Sequence, residues 1–160
     1  VEFDGTNDNM ATANFSSSYS GAVSLVAIVK RNGAGSGSDQ RIIDVSVSTT
    51  YTTIIGRSSA NKWSIYNSGW VDGPTWDTSP HLIWTYQTSG TNATKITVDG
   101  STTAGTAGAA KADYFRVGGW PASNFFGGTF AFAGLYAGDV SAHEQWPAFR
   151  AWARAYYGLP

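Results

Sequence analysis

The side chains able to do chemistry in this chain are few and poorly paired. Its 160 residues hold only two glutamates, Glu2 and Glu144, one near each end. Glycoside hydrolysis needs two carboxyl groups flanking the scissile bond, and no Glu-x-Asp-x-x-Glu run is present to place them on one strand. Asp72 and Asp77 flank Gly73-Pro74, so any catalytic pairing between them would rest on loop conformation; solvated turn aspartates are the plainer reading. There is no Gly-x-Ser-x-Gly elbow and no phosphate-cradling motif. Cysteine is absent, which removes disulfides, thiolate zinc sites and cysteine nucleophiles together.

Metal and ligand candidates are weaker than a motif. Asp4-x-Thr6-x-Asp8 starts like a calcium loop, but Asn9 stands where the glycine belongs and Phe15 where the last acid belongs. Asn7 and Asp8 read more simply as turn-closing residues. No cofactor is expected, and a single structural calcium near Asp4 or Asp8 is the one metal this spacing leaves room for. Sugar recognition uses flat aromatic faces with Asp or Asn beside them. Trp70, Asp72, Trp76 and Asp77 in one Pro/Gly-rich segment, with Trp120 and Asn124 in another, are therefore a candidate glycan site. The competing reading packs these tryptophans onto sheet edges or subunit contacts. Trp63 and Trp84, inside apolar runs, read as core.

The elements that must position these residues are strands. Residues 23–30 form an apolar run suited to an inner strand, and 32–38 a Gly/Ser loop. Strand-like runs follow at 41–45, 51–55, 63–66, 81–86, 95–98 and 114–117. Residues 126–136 alternate large and small side chains in one long strand. Asp99-Gly100 marks a tight hairpin. Residues 69–77 read as a loop because Pro and Gly break a ladder, and the Ala/Gly/Thr stretch 100–112 as a long solvated loop. This makes about ten to twelve strands, enough for two packed antiparallel sheets.

The last twenty residues change period. Ser141 and Glu144 have capping-box spacing, and Pro147 is placed to start a second helix after a break. Phe149, Trp152, Ala153 and Tyr156 fall on one stripe, with Arg150 and Arg154 opposite and Gly158 placed to end the helix. The stripe reads first as docking on the sandwich and second as a subunit contact through Phe149, Trp152 and Tyr156. Residues 1–140 then form the sandwich, and 141–160 a helical segment packed on the same domain.

Composition narrows the partners. Charged residues are 13% of the chain, aromatics 14%, and the formal net charge is −1. The scattered Lys and Arg make no phosphate-binding stripe, so nucleic acid is not an expected partner. The longest apolar run, residues 22–29, falls short of a membrane span. The chain opens on Val1, which reads as a processed or excerpted segment.

Taken together, Phe3-Asp4-Gly5-Thr6-Asn7-Asp8, residues 23–30, Trp84-Thr85-Tyr86, residues 95–100, Val117-Gly118-Gly119, residues 126–136 and Ser141-Ala142-His143-Glu144 resemble the laminin-G-like, concanavalin-A-like jelly rolls. The resemblance spans nearly the whole chain. It implies an all-β, two-sheet antiparallel jelly-roll sandwich with a short C-terminal helix, whose first and last strands meet. Many relatives carry an Asp where Ala131 follows Phe130, a position some use for calcium; its loss argues against that metal. Tyr114-Phe115-Arg116-Val117 bears a faint likeness to a strand of polysaccharide lyases, enzymes that take a proton from a uronate with a Gln-x-His element and an arginine-rich strand. The two histidines, His81 after Ser79-Pro80 and His143, do not supply that element. The tail Tyr156-Tyr157-Gly158-Leu159 is similar to tails of such domains in tailed-phage virion proteins and bacterial surface proteins. The expectation is a non-enzymatic structural or adhesion module, on a virion surface or outside the cell. Its partners would be other virion or surface proteins or copies of itself, with a carbohydrate-binding module as the alternative.

Overall fold

The protein is described from a computed structural model, over residues 1–35, 39–45, 54–57, 61–108, 111–119 and 124–160. Twelve strands are present among these residues, in two six-stranded antiparallel sheets. Sheet A runs β1 (Glu2–Asp4), β12 (Phe126–Ala137), β3 (Val23–Gly35), β8 (Pro80–Tyr86), β9 (Gly90–Val98), β10 (Ser101–Ala107). Sheet B runs β2 (Met10–Ala11), β11 (Arg116–Val117), β4 (Ile43–Asp44), β5 (Ile54–Arg57), β6 (Lys62–Tyr66), β7 (Trp70–Thr75). The opening and closing segments do pair: Phe3 stands opposite Gly128, and the Val1 amino group donates to the Phe130 carbonyl at 2.8 Å.

Period-2 alternation builds the core between the sheets. Leu25, Ala27 and Val29 of β3, Ile83 of β8 and Ile96 and Val98 of β9 meet Ile43, Trp63, Ile65, Val71 and Val117 of sheet B. The intervening residues of β3 and β8, Val26, Ile28, Leu82 and Trp84, face the other way and are still buried. They are covered by a 3-10 turn (Val140–Ala142) and by α1 (Trp146–Tyr157), which contribute Val140, Trp146 and Ala153, and by Leu159 beyond the helix. This is why β3 is apolar on both faces.

Three stretches read as loop are strand: residues 32–35 of the expected 32–38 loop complete β3, with Gly35 opposite Phe126, and the other two form strands of their own. Residues 70–75 form β7, and Pro74 is tolerated because β7 is an edge strand with no ladder partner on its outer side. Residues 101–107 form β10, the second arm of the Asp99-Gly100 hairpin, with Ser101 opposite Val98 and Thr102 opposite Thr97. Its small side chains have a packing reason: a Cβ on Gly105 would lie 2.8 Å from Cγ2 of Val71, so β10 can press against β7 and close one side of the sandwich.

The tail follows its expected break with a different cap. Asp139, not a Ser141–Glu144 box, caps the 3-10 turn, its Oδ1 accepting from the Ser141 N–H at 2.9 Å and the Ser141 hydroxyl at 2.6 Å. Pro147 lies in the first turn of α1. Gly158 ends α1 at φ 64°, its N–H bonding the Arg154 carbonyl, which turns Leu159 back into the apolar cluster. Among the described residues, no helix is long and apolar enough to cross a membrane.

Candidate functional site

An apolar concavity lies on the outer face of sheet A, where α1 leaves β12 partly bare. A register shift between Phe130 and Phe132 makes it. Phe126 and Phe130 point into the core, and strict alternation would send Phe132 there too. The bulge at Ala131 resets the parity: Ala133 and Leu135 now pack inward, opposite Ala27 and Leu25. Phe132, Gly134 and Tyr136 are thereby turned outward, opposite Ile28, Val26 and Ser24.

These residues form one wall of a groove of about 300 Å³, and His143, Trp146 and Phe149 form the other. Phe149 stacks on Trp146 with ring centroids 5.3 Å apart and meets Phe132 at 5.1 Å. Trp146 in turn packs edge-on against Trp84 at 5.2 Å, which anchors α1 to β8. His143 meets the Tyr136 ring edge-on, and its Nδ1 accepts from the Gln145 N–H. No Asp, Glu, Lys or Arg lines the groove. Beyond it the aromatic surface continues along α1: Trp152 and Tyr156 lie nearly parallel with centroids 5.7 Å apart, and they are 46% and 71% exposed.

The expected helix stripe is therefore rotated. Trp146, Ala153 and half-buried Phe149 and Tyr157 pack toward the sheet, while Trp152 and Tyr156 face solvent. Of the three subunit-contact candidates, Phe149 is largely used inside the fold.

The described members of the tryptophan-based glycan site do not share one surface. Trp76 is buried, edge-on to Trp63 at 5.8 Å and with the Arg31 guanidinium 4.2 Å over its ring, so neither face is free for a sugar. Trp70 leans on Tyr66 across the β6–β7 pair, and Asp72 accepts from the Ser64 hydroxyl at 2.7 Å on the same outer face. Asn124 sits at the other side of sheet B, its carbonyl bonded to the Arg41 N–H beside β4, with β5 and β6 between. Trp120 lies outside the described residues.

Asp77 turns instead to His81, a group the sequence did not connect. His81 Nδ1 lies 2.5 Å from Asp99 Oδ2 and Nε2 lies 3.0 Å from Asp77 Oδ1. Asp99 also accepts from the Leu82 N–H, and Asp77 from the Ser79 N–H. Burial alone would lower the His81 pKa, but the hydrogen bonds and charges of Asp99 and Asp77 outweigh it and hold the imidazolium above its ordinary value. Asp77 is lowered, first by the Ser79 backbone N–H and then by His81. Both ring nitrogens are occupied, so His81 ties the β7–β8 loop to the β9–β10 turn and offers no lone pair for catalysis. Tyr114 is likewise structural: its hydroxyl donates to buried Asp44, and burial raises its pKa.

Asp4 and Asp8, the candidate calcium ligands, are engaged in the turn itself. Asp4 Oδ1 accepts from the Thr6 N–H and Asp8 Oδ2 from the Asp4 N–H, so both carboxylates close the turn after β1. Among the described residues, no group of three or more His, Asp or Glu is arranged to hold a metal ion.

No protein-family model and no curated protein matches this chain. Solved structures do. The mouse laminin alpha1 chain, domains LG4-5, superposes with a TM-score of 0.63 at 15% identity, over 84% of this chain and 40% of that one. A Trypanosoma rangeli sialidase in complex with the inhibitor DANA gives 0.54 at 14% identity, over 76% of this chain and 21% of the sialidase. The chain thus spans less than half the length of the structures it matches, and likeness at this identity speaks to fold. With the two antiparallel sheets and the paired opening and closing strands, it establishes that this chain folds as a laminin-G-like, concanavalin-A-like jelly roll.

Proposed function

We propose that this protein is a non-catalytic structural or adhesion module that joins a larger assembly through the aromatic face of α1 and the groove beside it. The observation that carries this is the outward placement of Trp152 and Tyr156 next to the lips of the groove, Phe132 and Tyr136, each more than a third exposed. Clustered exposed aromatics are the usual anchors of protein interfaces, because each removes a large apolar area from water with little loss of side-chain freedom. A helix held by one face and presenting aromatics on another suits docking against a second copy or a neighbouring subunit. The carboxylates support the same reading: Asp72 and Asp77 are engaged with different partners, and the glutamates stand at residues 2 and 144.

In its finer form the assembly is a virion, with this chain as a capsid decoration or fibre domain at the surface. The similarity of residues 156–159 to tails in such proteins supports that setting. Sedimentation velocity of the purified chain tests the contact. Self-association is expected for the native sequence and its loss for Trp152→Ala/Tyr156→Ala, with circular dichroism unchanged. A native chain that stays monomeric at high concentration, and is unaffected by the double substitution when offered its neighbouring structural proteins, would remove the proposal.

A further inference from the structure

On the other side of α1, away from the aromatic groove, the outer face of sheet A holds a second concavity of about 300 Å³ with opposite chemistry. Its floor is two cross-strand rows. Trp84, Thr97 and Thr102 stand opposite one another on β8, β9 and β10, and Tyr86 stands opposite Lys95 in the next row. Arg150 of α1 and Asp139 and Ser141 of the 3-10 turn complete the lining.

The charges here are placed in a telling way. Arg150 lies 5.0 Å over the Trp84 ring, and its Nε is buried without a hydrogen-bond partner. Neither Arg150 nor Lys95 pairs with a carboxylate among the described residues. Arg154 adds a third cation nearby, donating to the Asp99 carbonyl at 3.2 Å, and both arginine guanidiniums approach the hairpin tip at Gly100. In a chain of net charge −1, that is a local excess of cations with spare donors. Asp139 is the opposing element: Oδ1 is committed to the Ser141 cap, and Oδ2 remains as an acceptor.

A bare inorganic anion would meet Asp139 as well as the cations. A hydroxylated acid would not be penalised in that way. Its carboxylate can take charge-assisted bonds from Arg150 and Lys95, its hydroxyls can donate to Asp139, and the Tyr86 ring and Thr hydroxyls can meet its ring. The volume stands at the lower limit for a ligand pocket, enough for one ring. We propose that this pocket binds an acidic sugar, a pyranose bearing a carboxylate. The site is independent of the aromatic face and needs neither Trp152 nor Tyr156.

The test is titration of the whole chain, by calorimetry or by amide chemical shifts, with glucuronate, glucose, acetate and a zwitterionic amino acid. For a ligand of this size in an open pocket, a dissociation constant on the order of 1 mM is expected for glucuronate. Glucose and acetate are expected to bind at least about tenfold more weakly. Lys95→Gln changes an exposed side chain and leaves the fold intact; it and Arg150→Gln should each weaken glucuronate several-fold. Asp139→Asn should narrow the gap between glucuronate and acetate. The proposal fails if glucuronate does not bind, if acetate or the amino acid binds as well as it does, or if Lys95→Gln leaves glucuronate affinity unchanged.

Discussion

The two outer faces of this sandwich start from the same strand chemistry and end differently. On sheet B the outward side chains of β6 and β7 satisfy one another across the ladder: Lys62 bonds Thr75, Ser64 bonds Asp72, and Tyr66 leans on Trp70. On sheet A the outward side chains of β3 and β8 are Val26, Ile28, Leu82 and Trp84, which no cross-strand pairing could keep from water. The chain covers them with its own C-terminal helix. Because that helix is narrower than the sheet, it leaves an apolar groove on one flank and a polar pocket on the other. Concave surface is thus created where a helix incompletely covers a face, whereas the described outward side chains of β6 and β7 bond one another.

The strongest way to break the comparison is to unseat the helix. Trp146→Ala removes the ring that meets Trp84 and Phe149 and leaves a cavity in the outer cluster. Loss of about 3–5 kcal/mol is expected in urea unfolding. Both concavities should go with it, so self-association and glucuronate binding should fall together. A smaller effect would mean that α1 is dispensable to sheet A.

A second test uses pH. His81 carries a raised pKa in the folded protein, so the stability it contributes is fully present below its unfolded value, about 6.5, and is lost as pH rises through the folded value. Asp77 has the opposite sense, its contribution present above the ordinary carboxylate value and lost as pH falls through the depressed one. The link is therefore strongest in mildly acidic solution. His81→Gln is expected to cost about 1–3 kcal/mol there, and the difference from the native protein should shrink on going alkaline, as read by melting temperature across the pH range. A pH-independent difference would assign His81 to packing against Trp63 alone.

What the sequence made legible was whatever leaves a local pattern. The Asp99-Gly100 hairpin and the two-faced burial of residues 23–30 each follow from turn chemistry or patterning within a short window, whereas the pairing of the chain's ends followed from the resemblance to laminin-G-like jelly rolls. Strand β10 was illegible because Ala, Gly and Thr carry no hydrophobic period; its smallness serves a close approach to Val71 that only tertiary structure reveals. Trp76 looked like a loop tryptophan because Gly73 and Pro74 mask an edge strand leading into it. The groove was hidden by the Ala131 bulge, since one extra residue reverses which of Phe132 and Leu135 faces the core. The helix stripe lies about one position out of phase with the sequence expectation, because five aromatics in twelve residues offer more than one apolar face. His81 gave no sign of Asp99, eighteen residues away across a hairpin.

Smaller effects sharpen the contrast. Gly158→Ala should cost about 1 kcal/mol, since only the left-handed backbone there returns Leu159 to the cluster and the added Cβ is strained rather than crowded. Its signature would be a frayed end of α1, with sheet A untouched, measured as faster amide exchange over residues 154–159.

The least expected change lies on sheet B. Asp72→Asn keeps an oxygen able to accept from the Ser64 hydroxyl, removes one exposed charge, and touches neither the core nor the helix. A shift within about 0.5 kcal/mol is expected, as for other surface substitutions away from special features. Binding to acidic sugar and self-association should both be unaltered. If Asp72→Asn instead impaired either one, the outer ladder of β6 and β7 would have to be counted as functional surface, and the division between a covered, binding face and a self-satisfied one would not hold.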